Sequence, residues 1–291
     1  MKRFLSILLC TIMVTSLGYA YSPNDLRFYS DQDTIKINNL LTQARERKFK
    51  LVSETMLFFA NSFLDTPYVA HTLESDDHKE YLTINVSQFD CTTFVESVLA
   101  LSQCYFEDNT SWRDYAAMLE EIRYHNGQID GYASRLHYFS SWIIENIARG
   151  NVQDKTPDIS SVIYSVKTLN FMSKHSDKYP ALSDPNVLQK IEALEVGYHS
   201  HRIPYIKKGD ISNKDFLRVV KDGDIVAITT KVDGLDVSHV GIIQYVDGVP
   251  HLLHASSAGK KVLLSSEDLK EYVRRNQMST GVRVLRLKRK Y

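Results

Sequence analysis

Ser238-His239-Val240-Gly241-Ile242-Ile243-Gln244-Tyr245-Val246-Asp247-Gly248-Val249-Pro250-His251-Leu252-Leu253-His254 alternates apolar residues around a central Asp-Gly. That dipeptide between alternating runs is the strongest short-range signal for a two-residue type I′ hairpin turn. With Asp247-Gly248 as the turn, Val246 faces Val249, Gly241 faces His254 and His239 faces Ser256. Strand side chains alternate with period two, so His239, His254 and Ser256 share one face while Val240, Ile242, Leu253 and Ala255 share the other. The second face is expected to be core. The first carries two histidines as diagonal neighbours, ~7–8 Å apart at Cα, close enough for their imidazoles to meet across a glycine. A loop two residues longer keeps the shared face, whereas a one-residue bulge destroys it.

Working outward, the strand pattern continues over 225–230, 262–264 and 282–287, broken by one helix over 267–275. Upstream the periodicity is helical. Two helix-like stretches fill 33–63, with Asn38-Asn39 and 48–50 as their least regular points, and a turn follows at Asp65-Thr66-Pro67-Tyr68. A polar loop over 74–80 and a strand-like 81–86 lead to a helix over 92–106, whose apolar stripe has no Gly or Pro. The stretch 111–220 reads as mostly helical, with segments at 112–124, 141–148, 162–174 and 186–196. No repeat, low-complexity run or hydrophilic linker divides the chain, so a single α+β domain over 21–291 is expected, with a large helical section at about 110–220.

The first 20 residues read as a secretory signal: Lys2-Arg3, an apolar run from Phe4 to Val14, and small residues ending at Ala20. The run is well short of the ~20 residues of a spanning helix, and Cys10 lacks the context of a lipid-anchor site. No later run is long and apolar enough to span a bilayer, so an exported, periplasmic chain is expected. Lys and Arg number 35, as do Asp and Glu; with no basic excess, nucleic-acid binding is not expected.

After removal of the signal only Cys91 and Cys104 remain. Export suggests a disulfide, but thirteen residues along one helix separate their Cα atoms by ~20 Å, and a bridge needs less than ~7 Å. Cys91 is therefore expected to be a free thiol at a helix start, capped by Asp90 or Thr93, where the helix dipole lowers a thiol pKa. The alternative is a buried structural cysteine. A thiol at a helix start with two histidines on adjacent strands is what nucleophilic catalysis needs: one imidazole takes the thiol proton and the second group orients it.

At these residues a family resemblance enters. Phe89-Asp90-Cys91-Thr92-Thr93-Phe94-Val95, Ser238-His239-Val240-Gly241-Ile242 and Leu252-Leu253-His254-Ala255 resemble the three catalytic blocks of the NlpC-type, papain-like cell-wall cysteine hydrolases. Thr66-Pro67-Tyr68 resembles their upstream block, which places a tyrosine in the active site. Ile122-Arg123-Tyr124, the segment Gly131 to Tyr138, and Gly223-Asp224-Ile225-Val226 resemble the N-acetylmuramoyl-L-alanine amidase-like branch. His71 and Thr92-Thr93 depart from relatives outside this branch, so their peptidase specificity does not carry over.

The resemblance implies a papain-like antiparallel sheet packed on the cysteine helix, with a helical insertion. It further implies hydrolysis of an amide in peptidoglycan fragments or muropeptides by Cys91 as nucleophile, His239 as base and His254 as orienting group, without a cofactor or metal. Tyr68, Arg135 and His137 are the nominated substrate-binding residues. Three other readings stand beside this one: a stem-peptide endopeptidase with the same triad, a non-catalytic wall-binding protein on a hydrolase fold, and a zinc hydrolase drawing ligands from Cys91, His239, His254 or Asp236.

Overall fold

The computed structural model describes residues 26–198 and 201–290, and the expected export segment lies outside them. In chain order the first elements are β1 (Leu26–Phe28), α1 (Gln32–Arg47), α2 (Val52–Asn61), β2 (Leu82–Ile84), α3 (Cys91–Phe106), α4 (Trp112–Arg123) and α5 (Phe139–Ala148). Next come β3 (Val152–Asp154), β4 (Ile163–Val166), α6 (Phe171–Lys174), α7 (Pro185–Gly197), β5 (Arg202–Lys207) and α8 (Lys214–Val219). The chain closes with β6 (Ile225–Thr230), β7 (Val237–Val246), β8 (Val249–Ser256), β9 (Lys261–Asp268), α9 (Leu269–Arg275) and β10 (Ser279–Leu287).

Asp247 and Gly248 both take positive φ, 48° and 80°, as a type I′ turn requires. They set the β7–β8 register, which pairs Val246 with Val249 and Ile242 with Leu253 as expected. Among the described residues the main sheet has eight strands in the order β4-β5-β10-β6-β7-β8-β9, with β3 also paired to β10. All its pairings are antiparallel.

Both faces of the hairpin are covered, not one. Val240, Ile242, Leu253 and Ala255 pack with α3 and its helical neighbours in the largest buried cluster. Ile243 and Leu252, on the histidine face, pack with Phe216 of α8 and with Leu269 and Val273 of α9. The histidines lie at the end of this second face.

The middle of the chain departs from the helical expectation. Residues 163–166 form strand β4, and only 171–174 of the expected 162–174 helix is helical. β5 was not expected at all, and β3, β4 and β5 extend the main sheet. The stretch 110–220 is thus a mixed segment that widens the sheet, not a purely helical insertion. β5 can approach β10 because position 281 is glycine: a Cβ there would sit 1.8 Å from the Ile206 carbonyl oxygen. Asn38, read as a break point, lies within α1, where its Oδ1 accepts the Trp112 amide at 2.7 Å and so caps the start of α4.

Candidate active site

Cys91 opens α3. The Asp90 carboxylate accepts the Thr93 amide at 2.8 Å, and the Thr93 hydroxyl accepts the Asp90 amide at 3.0 Å. This reciprocal box names Asp90 as the N-cap. Glu96, three residues after Thr93, takes no part in capping; it is buried against Arg123 at 2.7 Å.

β7 and β8 stay paired down to Ile242–Leu253 and then part. Beyond that point His254, Ala255 and Ser256 pair with β9, while Val240 and His239 pair with β6. At the parting, the backbone amide of Val240 comes close enough to the Cys91 thiol to favour its ionised form. Cys91 thus lies against β7 at Val240, the residue next to His239, and close enough to Tyr272, which packs on His254, to act on its phenol. Gly241 permits this geometry, because a Cβ there would lie 3.0 Å from Cβ of His254 and 2.8 Å from Leu252.

His239 Nε2 and His254 Nδ1 are 2.7 Å apart, and their rings are perpendicular with centroids 4.8 Å apart. One proton is shared between these two nitrogens, and its owner fixes the tautomer of the other ring. Burial pushes His239 down to about 3, with the neighbouring His254 adding to the effect. Burial likewise takes His254 to about 4, opposed by a hydrogen bond with the Ala255 backbone. Both rings are neutral at pH 7.

Cys91 departs from the expectation of a lowered thiol pKa. Burial first, and the Asp90 carboxylate second, push it up to about 12, against the amides of Val240 and Cys91 and the Thr92 side chain. A helix N-terminus is worth at most ~2 kcal/mol to a nearby anion, and here removal from water outweighs it. The resting site is a neutral thiol beside two neutral imidazoles.

Tyr272 of α9 was not singled out from the sequence. Its ring centroid lies 5.0 Å from His254 and 6.1 Å from His239. Burial and then the Cys91 charge raise its phenol to about 12. The available signal was its helical position beside the apolar Leu269 and Val273, which puts it on the sheet-facing side. Tyr272, His239 and His254, with Ser256, Ser265 and Arg275, line a cleft of about 520 Å³.

Tyr68 is held beside Cys91, its amide bonded to Lys260 O at 2.9 Å and its backbone bridged to Phe89. Its phenol is raised by burial, then by Cys91 and Asp90. Arg135 and His137 lie elsewhere. Arg135 pairs with Glu74 at 2.8 Å and Glu80 at 3.3 Å, and His137 Nε2 faces Tyr132 O at 2.8 Å. Neither lines the cleft.

Cys104 is fully buried, and both cysteines are free. Among the described residues no three His, Cys, Asp or Glu side chains group as metal ligands. Asp236 accepts the Ser140 amide at 2.6 Å, and the facing nitrogens of His239 and His254 point at each other.

The fold and site define an α+β protein with an antiparallel sheet that opens onto a histidine-lined cleft beside a helix-start cysteine. A family profile described as N-acetylmuramoyl-L-alanine amidase-like matches residues 58–282, and the chain belongs to that family. A solved N-acetylmuramoyl-L-alanine amidase from Bacteroides uniformis is 40% identical over 82% of this chain and 99% of its own, with a TM-score of 0.77. A Bacteroides fragilis protein provisionally named a xylanase is 41% identical over 79% of this chain and 99% of its own, with a TM-score of 0.74. A Legionella pneumophila protein shares the fold at 20% identity, covering 88% of this chain and 95% of its own, with a TM-score of 0.68. Comparison with curated proteins gave no match.

Proposed function

We propose that the chain is an exported, periplasmic peptidoglycan amidase that cleaves the bond between N-acetylmuramic acid and L-alanine in muropeptides, using Cys91, His239 and His254. The observation that carries this reading is the 2.7 Å contact between His239 Nε2 and His254 Nδ1 beside a cysteine at a helix start. Family membership and the 40% identity to a protein named as this amidase support the substrate class. The NlpC-type, papain-like assignment of the fold, with one catalytic domain over 21–291 behind a cleaved signal, belongs to the same proposal.

In the mechanism, His239 donates Nε2–H to His254 Nδ1, which leaves its own Nδ1 bare. Nδ1 takes the thiol proton as Sγ attacks the amide carbonyl carbon. Proton transfer on attack, instead of a standing ion pair, follows from the burial that keeps all three groups neutral at rest. The Cys91 amide at the helix start hydrogen-bonds the developing oxyanion. The C–N bond then breaks, His239 passes its proton to the leaving amine, and a thioester remains. Water, deprotonated by His239, hydrolyses it and restores the thiol. Tyr68 contacts substrate beside Cys91. Arg135, paired with Glu74 and Glu80, and His137, bonded to the Tyr132 carbonyl, support the segment that carries them instead of touching substrate.

A glycosidase acting on xylan would bring two carboxylates to the scissile bond. Among the described residues lining the cleft the carboxylate is Glu267, which is paired with Arg275 at 3.1 Å. The deciding measurement is the mass of products released from a defined muropeptide mixture by wild type and by Cys91→Ala. Intact stem peptides with free N-terminal alanine support the amidase. Truncated peptides would make the enzyme an endopeptidase, and release that survives Cys91→Ala would remove the thiol mechanism.

A further inference from the structure

At the far end of the cysteine helix, α3 finishes in Tyr105-Phe106, about 20 Å from Cys91 at 1.5 Å per residue. There the rings of Phe58, Phe49, Tyr105 and Phe106 form a row with successive centroids 5.3, 5.9 and 5.2 Å apart. All four are partly exposed. A guanidinium closes each end of the row: Arg47 lies 5.2 Å from the Phe58 centroid and Arg289 lies 4.5 Å from that of Phe106.

Such cation–π seating holds a guanidinium in place without neutralising it. Lys48 and Lys50 stand exposed beside the row. None of these four cations forms an ion pair among the described residues, whereas nearby Arg45 is paired with Asp108. Next to Lys50, Leu51 is 58% exposed. Arg45, Lys48, Lys50 and Arg289 border a cleft of about 460 Å³ in which Asp108 is the only carboxylate among the described residues.

We propose that this surface is a docking site for an anionic phospholipid bilayer. Two features select lipid over a soluble polyanion or a stacked sugar. Leu51 and the exposed ring edges gain nothing from a polymer that leaves them in water, but enter the boundary between headgroups and acyl chains while the flanking cations meet headgroup phosphates. The rings are tilted from one another by 46°, 65° and 79°, so they offer no flat platform for a sugar or base. Because the surface lies at the opposite end of α3 from Cys91, docking leaves the histidine cleft open. The inference does not depend on the reaction catalysed there.

The test is sedimentation of the full chain, as exported and processed by its host, with vesicles of phosphatidylcholine containing phosphatidylglycerol and with pure phosphatidylcholine vesicles. Binding to the anionic vesicles is expected at low salt and should weaken steeply as salt rises. At roughly a fivefold loss per cation removed, Lys48→Gln/Lys50→Gln/Arg289→Gln should bind about a hundredfold more weakly, with an unchanged thermal melting curve as evidence that it folds. Leu51→Ser should weaken binding several-fold at any salt concentration. Equal binding to both vesicle types would overturn the proposal. So would unchanged affinity in either variant, or charge-dependent capture of soluble polyphosphate with no binding to vesicles.

Discussion

The histidine cleft and the Arg123–Arg135 cluster are both buried and polar, yet they differ in what their polar groups have left to give. Around the arginines each charge is spent. Arg123 holds Glu96 at 2.7 Å and the Thr83 carbonyl at 3.1 Å, Arg135 holds Glu74 and Glu80, and Tyr124 donates to Glu80 at 2.8 Å. Cys91, His239 and His254 are neutral, and capacity remains: among the described residues the hydrogen bond that His239 makes to His254 uses Nε2, which leaves Nδ1. A network of paired charges can hold a segment in place, but a member of it can bind a ligand only by giving up the partner it already has. Chemistry is therefore expected where titratable groups are buried without a charged partner.

The sharpest separation of the two regions is by activity. Cys91→Ala and His239→Ala should each lower turnover by at least about a thousandfold, and the double variant should be no worse than either, since both act in one unit. Thermal melting should barely move. Residual turnover of Cys91→Ala above about a tenth of wild type, some 1.4 kcal/mol of barrier, would break the contrast.

Arg123→Ala should do the reverse. It leaves the Glu96 carboxylate buried without its partner, a loss of about 3–5 kcal/mol of stability, read as a fall in the urea midpoint. Turnover per folded molecule should stay within about threefold of wild type. If stability held while turnover collapsed, the arginine cluster would belong to the reacting site after all.

His254→Ala should fall between these extremes, at about 10–100-fold in turnover, because an orienting group sets tautomer and geometry without carrying the proton. His254→Asn, which still offers an acceptor to His239 Nε2, should recover part of that loss. Should His254→Ala match His239→Ala in both rate and pH profile, the two roles would be exchanged.

What could be read in advance divides along similar lines. The β7–β8 register, the shared histidine face and the cysteine helix rest on local signals, namely Asp247-Gly248, period-two alternation and an uninterrupted helical stripe. Strands β3, β4 and β5 were hidden because partners far away in sequence define them: β5 exists by pairing with 281–282 and 163–166. The Ile163-Tyr164-Ser165-Val166 alternation was present but short. The direction of the thiol pKa was misread because helix position is local, whereas burial depends on the whole fold. Arg135 and His137 had the right chemistry for ligand binding, and their commitment to Glu74, Glu80 and the Tyr132 carbonyl becomes visible only in three dimensions.

The smallest predicted effect uses pH, to which the two regions respond with opposite sign. His239 and His254 have folded values of about 3 and 4, below the ~6.5 of an unfolded histidine. On acidification from pH 7 to 5 the unfolded chain binds protons that the folded site refuses, so each should cost about 1–2 kcal/mol of stability. Glu80 is raised by burial to about 7, above the ~4.3 of an unfolded glutamate. Over the same window it binds its proton preferentially in the folded state, and this contribution, present at low pH and lost as pH rises through 7, partly offsets the histidines. Glu80→Gln removes the offset while keeping the shape. Its unfolding free energy, measured in urea at pH 7 and at pH 5, should therefore fall more steeply than that of wild type, by about 1–2 kcal/mol. Equal slopes would mean that Glu80 stays ionised against Arg135 throughout, and the opposition between the two regions would reduce to the histidines alone.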